Sequence, residues 1–449
     1  MFGYYIDLAW RSLKRTPILT GLMVLAIGLG IGAAMTMITV LHVMTEDPLP
    51  GRSAHLYVPH IDPLPATYKQ PFGEEQPNDD FTWPDALALL RAHRAVRQAA
   101  MAGGDLLVDP QRTDLQPFSV DGRYATAEFF AMFGVPFLRG SGWTSADDQT
   151  RAHVVVLNET LARKLFGMND PIGKTIEFSN LFEDKDNALY GFRVIGVTRD
   201  WAPQPLFYAD RSNQAYSESD QFFLPVSTAV DLNLPMRGNQ FGVATSVAEH
   251  SGPWKTRPTS YWLQFWVQLD TPAQFKSYRQ FLVDYSAEQE ALGRFQRPPA
   301  NAKLYSLMGW LRYENLVPDD VRLQFWLAVG FLGVCMLNIV ALLLAKFLRR
   351  SGEISVRRAM GARRRDVFVQ FGIESALIGV AGGLLGLGIA QIGLWSIRQR
   401  PDDYAHLATM DPSMLVGTVA LAIITSVVAG LLPAWRACRV PPAIQLKTL

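Results

Sequence analysis

The sequence predicts a membrane protein in which four transmembrane α-helices carry one large α+β extracytoplasmic domain between the first and second helices. Three observations predict this fold class: four long apolar stretches, a sorting of charge along the chain, and a length of 449 residues. A single hydrophobic core stops growing near ~250–300 residues, so a chain of this length forms at least two structural regions.

The predicted spans are the apolar stretches 17–45, 321–346, 367–396 and 412–434. Each meets the requirement for crossing a bilayer, which is roughly 20 mainly apolar residues in a helix. The first apolar run, about 27 residues, far exceeds the roughly 7–15 residues of a signal-peptide core. It is therefore predicted to remain in the protein as an anchor.

Charge is balanced overall but sorted by region. Residues 46–320 hold 25 basic and 34 acidic side chains, whereas the rest of the chain holds 17 basic and 7 acidic ones. Because cytoplasmic loops retain Lys and Arg, residues 46–320 are predicted to be extracytoplasmic. A nucleic-acid binder would instead carry its basic residues on a folded domain, so no nucleic-acid partner is expected.

The positions of Lys and Arg also predict the topology. Basic residues occur in the segments 1–16, 347–366 and 435–449, whereas the short loop 397–411 is mixed. Both termini and the loop 347–366 are therefore predicted to be cytoplasmic, in a multi-pass protein of the inner (plasma) membrane. Segment 1–16 has apolar residues at helical spacing, which predicts an interfacial helix on the cytoplasmic leaflet.

Small residues recur at helical spacing in two spans, where they let helix backbones approach closely in lipid. They are Gly28 and Gly32 in the first span, and Gly379, Gly382, Gly383 and Gly386 in the third. Two interpretations remain open: packing within the four-helix unit, and contact between two protomers.

The extracytoplasmic segment has mixed helix and strand patterns. The predicted strands are His55–Val58, His153–Leu157, Phe192–Val197, Phe222–Val226 and Tyr261–Leu269, and the predicted helices are Trp83–Ala100, a helix capped by Asn158 that runs to Leu165, and Pro272–Leu292. The two cysteines, Cys335 and Cys438, lie outside this segment, so its stability must come from a packed core.

Two features of this segment have competing interpretations. Gly173-Lys174-Thr175 is similar to the end of a phosphate-binding loop, but five residues, not four, separate Gly167 from Gly173. A tight turn between helix and strand is the favoured interpretation. The aromatic residues of Tyr261–Trp266 either form a recognition patch or pack into the core.

The chain is not expected to be an enzyme. It has no metalloprotease His-Glu-x-x-His motif, no Gly-x-Ser-x-Gly elbow and no Cys/His cluster with metal-ligand spacing. No catalytic, cofactor or metal residue is therefore assigned, and the occurrence of His55 and His60 near Asp62 is interpreted as a chance grouping of polar residues, not as a metal site.

The most specific signal is the run Glu353-Ile354-Ser355-Val356-Arg357-Arg358-Ala359-Met360-Gly361-Ala362-Arg363. It resembles the cytoplasmic coupling helix of MacB/FtsX-type ABC transporter permeases, apart from Ser355 in place of the usual Gly. The resemblance extends to the Pro171-Ile172-Gly173-Lys174 turn, to Glu374 early in the third span, and to Leu432-Pro433-Ala434-Trp435-Arg436-Ala437.

This resemblance implies a permease without a fused ATPase domain. Its implied partners are a separate ABC ATPase subunit that binds ATP and Mg, a second permease protomer, identical or paralogous, and, in export, a periplasmic adaptor and outer-membrane duct. Contact with the ATPase is expected from Glu353, Ile354, Arg357, Arg358, Gly361 and Arg363. Glu374, an acid within an apolar run, is expected to be functional or paired internally, for example with Arg363 to Arg365.

Three functions remain open from the sequence. The complex could export an amphipathic peptide, siderophore or drug from the periplasm or outer leaflet by mechanotransmission. It could instead release lipoproteins from the membrane. In the third alternative no solute crosses, and the outer domain relays ATP hydrolysis mechanically to a cell-wall enzyme.

Overall fold

The computed structural model describes residues 2–68, 80–110, 114–179, 189–208, 215–216, 219–238, 241–242, 253–317, 319–349, 364–400 and 408–439. The chain divides into two compact units. The first consists of Met1–Glu46 and Val317–Leu449, and the second of Asp47–Leu316.

The described helices, in chain order, are α1 (Phe2–Arg15), α2 (Pro17–Thr45), α3 (Trp83–Ala92), α4 (Glu128–Phe133), α5 (Ser145–Thr150), α6 (Glu159–Phe166), α7 (Val226–Asp231), α8 (Pro272–Ala291), α9 (Leu307–Tyr313), α10 (Asp319–Arg349), α11 (Arg364–Arg398) and α12 (Pro412–Arg439). The described strands are β1 (Leu56–His60), β2 (Phe81–Thr82), β3 (Arg97–Asp109), β4 (Phe118–Ala125), β5 (Phe137–Gly140), β6 (Val154–Asn158), β7 (Thr175–Ser179), β8 (Tyr190–Thr198), β9 (Phe222–Pro225), β10 (Met236–Arg237), β11 (Phe241–Gly242), β12 (Ser260–Gln268) and β13 (Lys303–Ser306).

Among the described residues of the first unit, four helices are long and apolar enough to cross a membrane. Their apolar segments are Pro17–Thr45, Val321–Phe347, Arg365–Arg398 and Pro412–Leu431. The second unit lies between the first two in the chain and contains both helices and strands. The predicted fold class, four apolar helices with an α+β domain between the first and second, is confirmed.

The strands of the second unit form one branched sheet. Among the described residues its main path is β13-β1-β12-β3-β4-β9-β6-β8-β5, with β2 and β11 on β12, β10 on β3, and β7 on β3 and β8. The pairs β4–β9 and β6–β8 are parallel, and the other described pairs are antiparallel. A core of buried aliphatic and aromatic residues, among them Leu106, Tyr124, Leu157 and Phe265, packs on this sheet.

The first and last strands of this unit are direct neighbours. β1 pairs with β13 in antiparallel register, so that Tyr57 lies opposite Ser306 and His60 lies opposite Lys303. The strand that enters the domain and the strand that leaves it therefore lie side by side.

The predicted helix Trp83–Ala100 is wrong beyond Ala92. Thr82 caps the start of α3 by accepting a hydrogen bond from the Asp85 backbone N–H at 3.3 Å. His93 then adopts a left-handed conformation (φ 46°) and donates its backbone N–H to the Leu90 carbonyl, which ends the helix. The chain continues as β3, whose small residues pack between β12 and β4.

The other strands and helices predicted in the second unit agree with the structure to within about two residues at each end, as expected for helix and strand boundaries. Asn158 caps α6 as predicted, accepting a hydrogen bond from the Leu161 N–H at 2.8 Å. The recognition patch on Tyr261–Trp266 is not present, because Tyr261, Trp262, Phe265 and Trp266 are all buried. β12 is an internal strand, with β1 on one side and β3 on the other, so side chains on both of its faces enter the core.

Candidate functional site

The predicted ATPase-contact residues, Glu353, Ile354, Arg357, Arg358, Gly361 and Arg363, lie outside the described residues. The helices on either side are described: α10 ends at Arg349 and α11 begins at Arg364. The candidate site is therefore built from the parts of α10 and α11 nearest to this basic segment.

A buried polar cluster joins three helices at this end of the first unit. Glu374 of α11 forms an ion pair with Lys346 of α10 and accepts a hydrogen bond from the Ser12 hydroxyl of α1 at 2.7 Å. Glu374 is fully buried, and Lys346 and Ser12 are at most 5% exposed. We call these three residues the polar joint.

Apolar packing surrounds the polar joint. Phe347, next to Lys346, stacks on Phe371 of α11 with ring centroids 3.9 Å apart. Leu13 of α1 and Val367 of α11 belong to the same buried cluster. Charges cut off from water interact strongly with one another, so an ion pair enclosed in this way resists separation.

Further polar groups lie between the polar joint and α12. The Ser426 hydroxyl donates to the Ser375 backbone carbonyl. Gly430 lies against the Ser375 side chain so closely that an added Cβ would overlap it. Within the described residues, Glu374 Oε2 and the Ser375 hydroxyl have no hydrogen-bond partner. The region around Glu374 is thus polar and buried, and an ionisable residue that faces the interior of a membrane bundle and is paired there is a candidate functional residue.

The glycines singled out in the sequence lie at helix contacts within this chain. A Cβ on Gly28 or Gly32 would overlap Leu385 or Ile389 of α11. In return, Gly382 and Gly386 lie against Ile27 and Ile31 of α2.

A neighbouring face of α11 packs on α12. There, Gly379 and Gly383 lie against Ile423 and Ala422. Because glycine has no side chain, the backbone of α11 can approach both α2 and α12 closely at these positions. The helix that carries Glu374 therefore packs closely against two of the other three spans, α2 and α12.

In the second unit, buried charges stabilise the fold. Arg123, fully buried, bonds Asp220 at 2.9 Å and lies over the Tyr208 ring. Asp85, also fully buried, accepts hydrogen bonds from the Tyr285 hydroxyl at 2.6 Å and from Arg294 at 2.9 Å. Each network links segments that are distant in the sequence, and within the described residues neither contains a group of metal-ligating side chains.

His60 and Asp148 are among the titratable groups of the second unit whose pKa values are shifted. Burial lowers the pKa of the His60 imidazole to about 3, and the Lys303 ammonium acts in the same direction. Burial also raises the pKa of Asp148 to about 6, although hydrogen bonds from the Ala127 N–H and the Trp143 indole favour its charged form. Neither His60 nitrogen has a hydrogen-bond partner within the described residues; its ring packs against Tyr305, Trp310 and Tyr313.

The segment after α6 is a tight turn, as predicted. Gly167 and Gly173 have φ values of 62° and 81°, a conformation that favours glycine, and the turn leads into β7. Clefts of about 530 Å³ and 350 Å³ border it, and both are lined by Gly167, Met168 and Asn169. Met168 is 98% exposed at the tip of the turn.

Ser12 and Lys346 were not among the site residues predicted from the sequence. Pairing Glu374 with Lys346 requires α10 and α11 to lie antiparallel, which the predicted topology already implied. The sequence contained one indication of this pair. Lys346 is a charged residue that is followed by further apolar residues, so it lies inside the apolar run and not after its end. Ser12 carried no comparable signal, because a single serine in an amphipathic helix is common.

A buried ion pair inside a bundle of four apolar helices, with an α+β domain inserted after the first helix, defines a multi-pass membrane protein with one large extramembrane domain. Residues 20–281 match the MacB-like periplasmic core domain, and residues 325–442 match the FtsX-like permease C-terminal domain. The chain belongs to the MacB/FtsX-type ABC transporter permease family.

The sequence identity to individual relatives is low. A pyoverdine export ATP-binding/permease protein, PvdT, of Pseudomonas fluorescens is 25% identical over 450 residues, covering 98% of this chain and 59% of that protein. A macrolide export ATP-binding/permease protein, MacB, of Chlorobium luteolum is 23% identical, covering 82% of this chain and 48% of that protein. The chain thus spans about half to three fifths of the length of these two relatives.

Solved structures with similarity to the chain include the periplasmic region of MacB from Actinobacillus actinomycetemcomitans. It is 14% identical, covers 58% of this chain and 94% of that chain, and has a TM-score of 0.35. The extracellular domain of the noncanonic ABC-type transporter YknZ from Gram-positive bacteria covers 51% of this chain and 95% of that chain, with 14% identity and a TM-score of 0.31.

Proposed function

We propose that this chain is the permease subunit of an ABC exporter, in which ATP hydrolysis by a separate ATPase subunit drives movement of an amphipathic substrate out of the periplasm or outer leaflet. In this proposal ATP and Mg are bound by the ATPase, and this chain holds no cofactor. The chain lies in the inner membrane, with both termini in the cytoplasm and the second unit outside it. The charge sorting of the sequence supports this orientation.

The polar joint is the observation that carries the proposal. Lys346 lies one turn before the basic segment 350–363 on the helix that enters it, and Glu374 lies about three turns after the segment on the helix that leaves it. An ion pair and a ring stack join these helices at this point. A push on the basic segment would therefore reach both α10 and α11 through this contact, and α1 through Ser12.

Export is favoured over the two alternatives by the relatives. The names of several of them specify export of pyoverdine or macrolides. We carry over only the class of substrate, an amphipathic molecule such as a peptide, siderophore or drug. A periplasmic adaptor, an outer-membrane duct and a second permease protomer complete the proposed assembly.

Charge reversal in the basic segment tests the ATPase contact. Arg357→Glu with Arg358→Glu is expected to abolish co-purification of the ATPase while membrane insertion is retained. The matched control, Arg11→Glu with Lys14→Glu, changes the net charge equally at exposed positions of α1 and should leave co-purification intact. Unchanged co-purification in the Arg357 and Arg358 variant would contradict the assignment.

Reconstitution in proteoliposomes tests the direction and type of work. The proposal expects candidate substrates to stimulate ATPase activity and to move vectorially across or out of the bilayer. Release of a membrane-anchored lipoprotein without transport of a soluble substrate would favour lipoprotein extraction. ATPase activity that responds to a cell-wall enzyme and moves no solute would favour mechanical signalling.

A further inference from the structure

Asn338 is an exposed amide in the middle of an apolar span. The α10 span is Val321–Phe347, so Asn338 lies four residues from its central residue, Val334. At 1.5 Å per residue this is about 6 Å along the helix axis, well inside a hydrocarbon layer about 30 Å thick. An amide exposed to lipid at this depth has no water to bond, which is unfavourable unless another polar group meets it.

Asn338 differs from the other polar residues in the interior of the described spans. Those on α2 and α12, such as Thr36, Thr39, Thr418 and Ser426, are buried against neighbouring helices. Asn338 is exposed and makes no described hydrogen bond. The four-helix bundle of one chain therefore leaves this amide unsatisfied.

The residues around Asn338 form a heptad stripe on the exposed face of α10. Spaced alternately by four and three residues, its members are Leu327, Phe331, Val334, Asn338, Ala341 and Ala345, all exposed. In the most apolar part of α10 only 22% is buried, whereas 56% is buried in the most apolar part of α2. A stripe of this spacing matches the pattern through which paired helices contact each other.

In this heptad Asn338 occupies an a position, together with Phe331 and Ala345. A single Asn at an a position of a parallel helix pair sets the register and favours two strands, because the two amides bond each other. Gly330 and Gly333 border the stripe and have open space where a Cβ would be, so a second helix can approach closely.

We infer that α10 pairs in parallel with α10 of a second copy of this chain, and that the two Asn338 side chains hydrogen-bond across the two-fold axis. An amide carries both a donor and an acceptor, so it is complementary to its own copy. The inference rests on the proposed second protomer, and it specifies the helix face through which the protomers meet.

Cysteine cross-linking of the full chain in native membranes tests the face. In a background with Cys335→Ala and Cys438→Ala, Asn338→Cys and Val334→Cys are expected to give an oxidant-dependent dimer. Ile424→Cys on α12, equally apolar and 59% exposed, is the control and should remain monomeric. A dimer that forms without cross-linking through Asn338 or Val334 would overturn the inference, and so would cross-linking only to a different polypeptide.

The dissociation constant of the dimer tests whether the Asn338 amide stabilises it. Interhelical polar contacts in membranes are worth about 0.6–2 kcal/mol, so Asn338→Leu is expected to raise the dimer dissociation constant about 3- to 30-fold in a bilayer. Asn338→Gln, which keeps the amide, should restore most of the affinity, and Ile424→Leu should change nothing. An unchanged dissociation constant in Asn338→Leu would refute the role of the amide.

ATPase co-purification separates this inference from the proposed function. Asn338→Leu leaves the basic segment intact and should retain the ATPase. A wild-type chain that binds the ATPase but is monomeric in the bilayer would overturn the pairing of protomers and leave the ATPase contact standing.

Discussion

Removing one charge from the polar joint should have a large and specific effect on stability. Lys346→Met leaves the Glu374 carboxylate buried with only Ser12 beside it among its described partners. Breaking a buried ion pair by removing one partner costs about 3–5 kcal/mol, because the remaining charge stays out of water. We expect the free energy of unfolding to fall by about that amount, less if water reaches Glu374.

The double variant Lys346→Met with Glu374→Met removes both charges. Replacing a buried pair by apolar residues of similar volume is often neutral, so its stability should lie within about 1–2 kcal/mol of the wild type. The Ser12 hydroxyl then loses the Glu374 acceptor, at a cost of about 1 kcal/mol. The double variant is therefore expected to be more stable than either single variant.

The assay is denaturant unfolding of the full chain in detergent micelles for the wild type, both single variants and the double variant. Glu374→Met should cost about 3–5 kcal/mol as well, because it removes the Glu374 carboxylate from the buried Lys346 ammonium, so the interaction energy of the cycle should be at least about 3 kcal/mol. Additive effects, with an interaction energy below about 0.5 kcal/mol, would refute the reasoning. Such a result would mean that Lys346 and Glu374 do not stabilise each other in the membrane.

Three further predictions concern His60 and Asp148, whose pKa values are shifted, and the close contact at Gly32. Because the pKa of His60 is lowered to about 3, its stabilising contribution is present above the unfolded pKa of 6.5 and is lost as the pH falls. Between pH 7 and pH 5 the loss should be about 2 kcal/mol, and His60→Phe should abolish it, as measured by hydrogen exchange of β1; an unchanged pH dependence in the variant would contradict this. The pH dependence of stability that comes from Asp148 has the opposite sign. Because its pKa is raised from 3.8 to about 6, its stabilising contribution is present at low pH and is lost as the pH rises through 6. Asp148→Asn should therefore remove a loss of about 1 kcal/mol between pH 5 and pH 7 in thermal unfolding, and a variant that keeps the full slope would assign it to another group. Gly32→Val should destabilise the bundle by about 1–3 kcal/mol, since a Cβ there would lie 3.0 Å from the Gly386 carbonyl oxygen. Gly388→Val, with open space at its Cβ, should change stability by less than about 0.5 kcal/mol in the same detergent unfolding assay, and equal effects would argue against the α2–α11 contact.

The four spans were predictable because hydropathy over a long segment depends on composition alone. Helix ends that depend on one backbone conformation were harder to predict. The apolar stretch from Trp83 to Ala100 has no Gly or late Pro to end a helix, yet the left-handed His93 ends it after Ala92. The small residues that follow serve as strand residues only because β12 and β4 lie on either side.

The candidate site was predictable only in part. Glu374 stood out as an acid in an apolar run, but its partner depends on which residue of α10 lies opposite, and this is set by helix packing. Sequence patterns also left open whether the glycines face other helices of the same chain or a second copy. The contacts of Gly28 and Gly386 place them between α2 and α11, whereas Gly330 and Gly333 stay open.

The pairing of β1 with β13 has a consequence for engineering. Because the first and last strands of Asp47–Leu316 are hydrogen-bonded neighbours, the domain begins and ends at one place on its surface. A segment with adjacent ends can be excised, closed by a short Gly/Ser linker, or exchanged for the corresponding segment of a relative without stretching the chain. Chimaeras joined at these two points would separate the contribution of the domain to substrate choice from that of the helices.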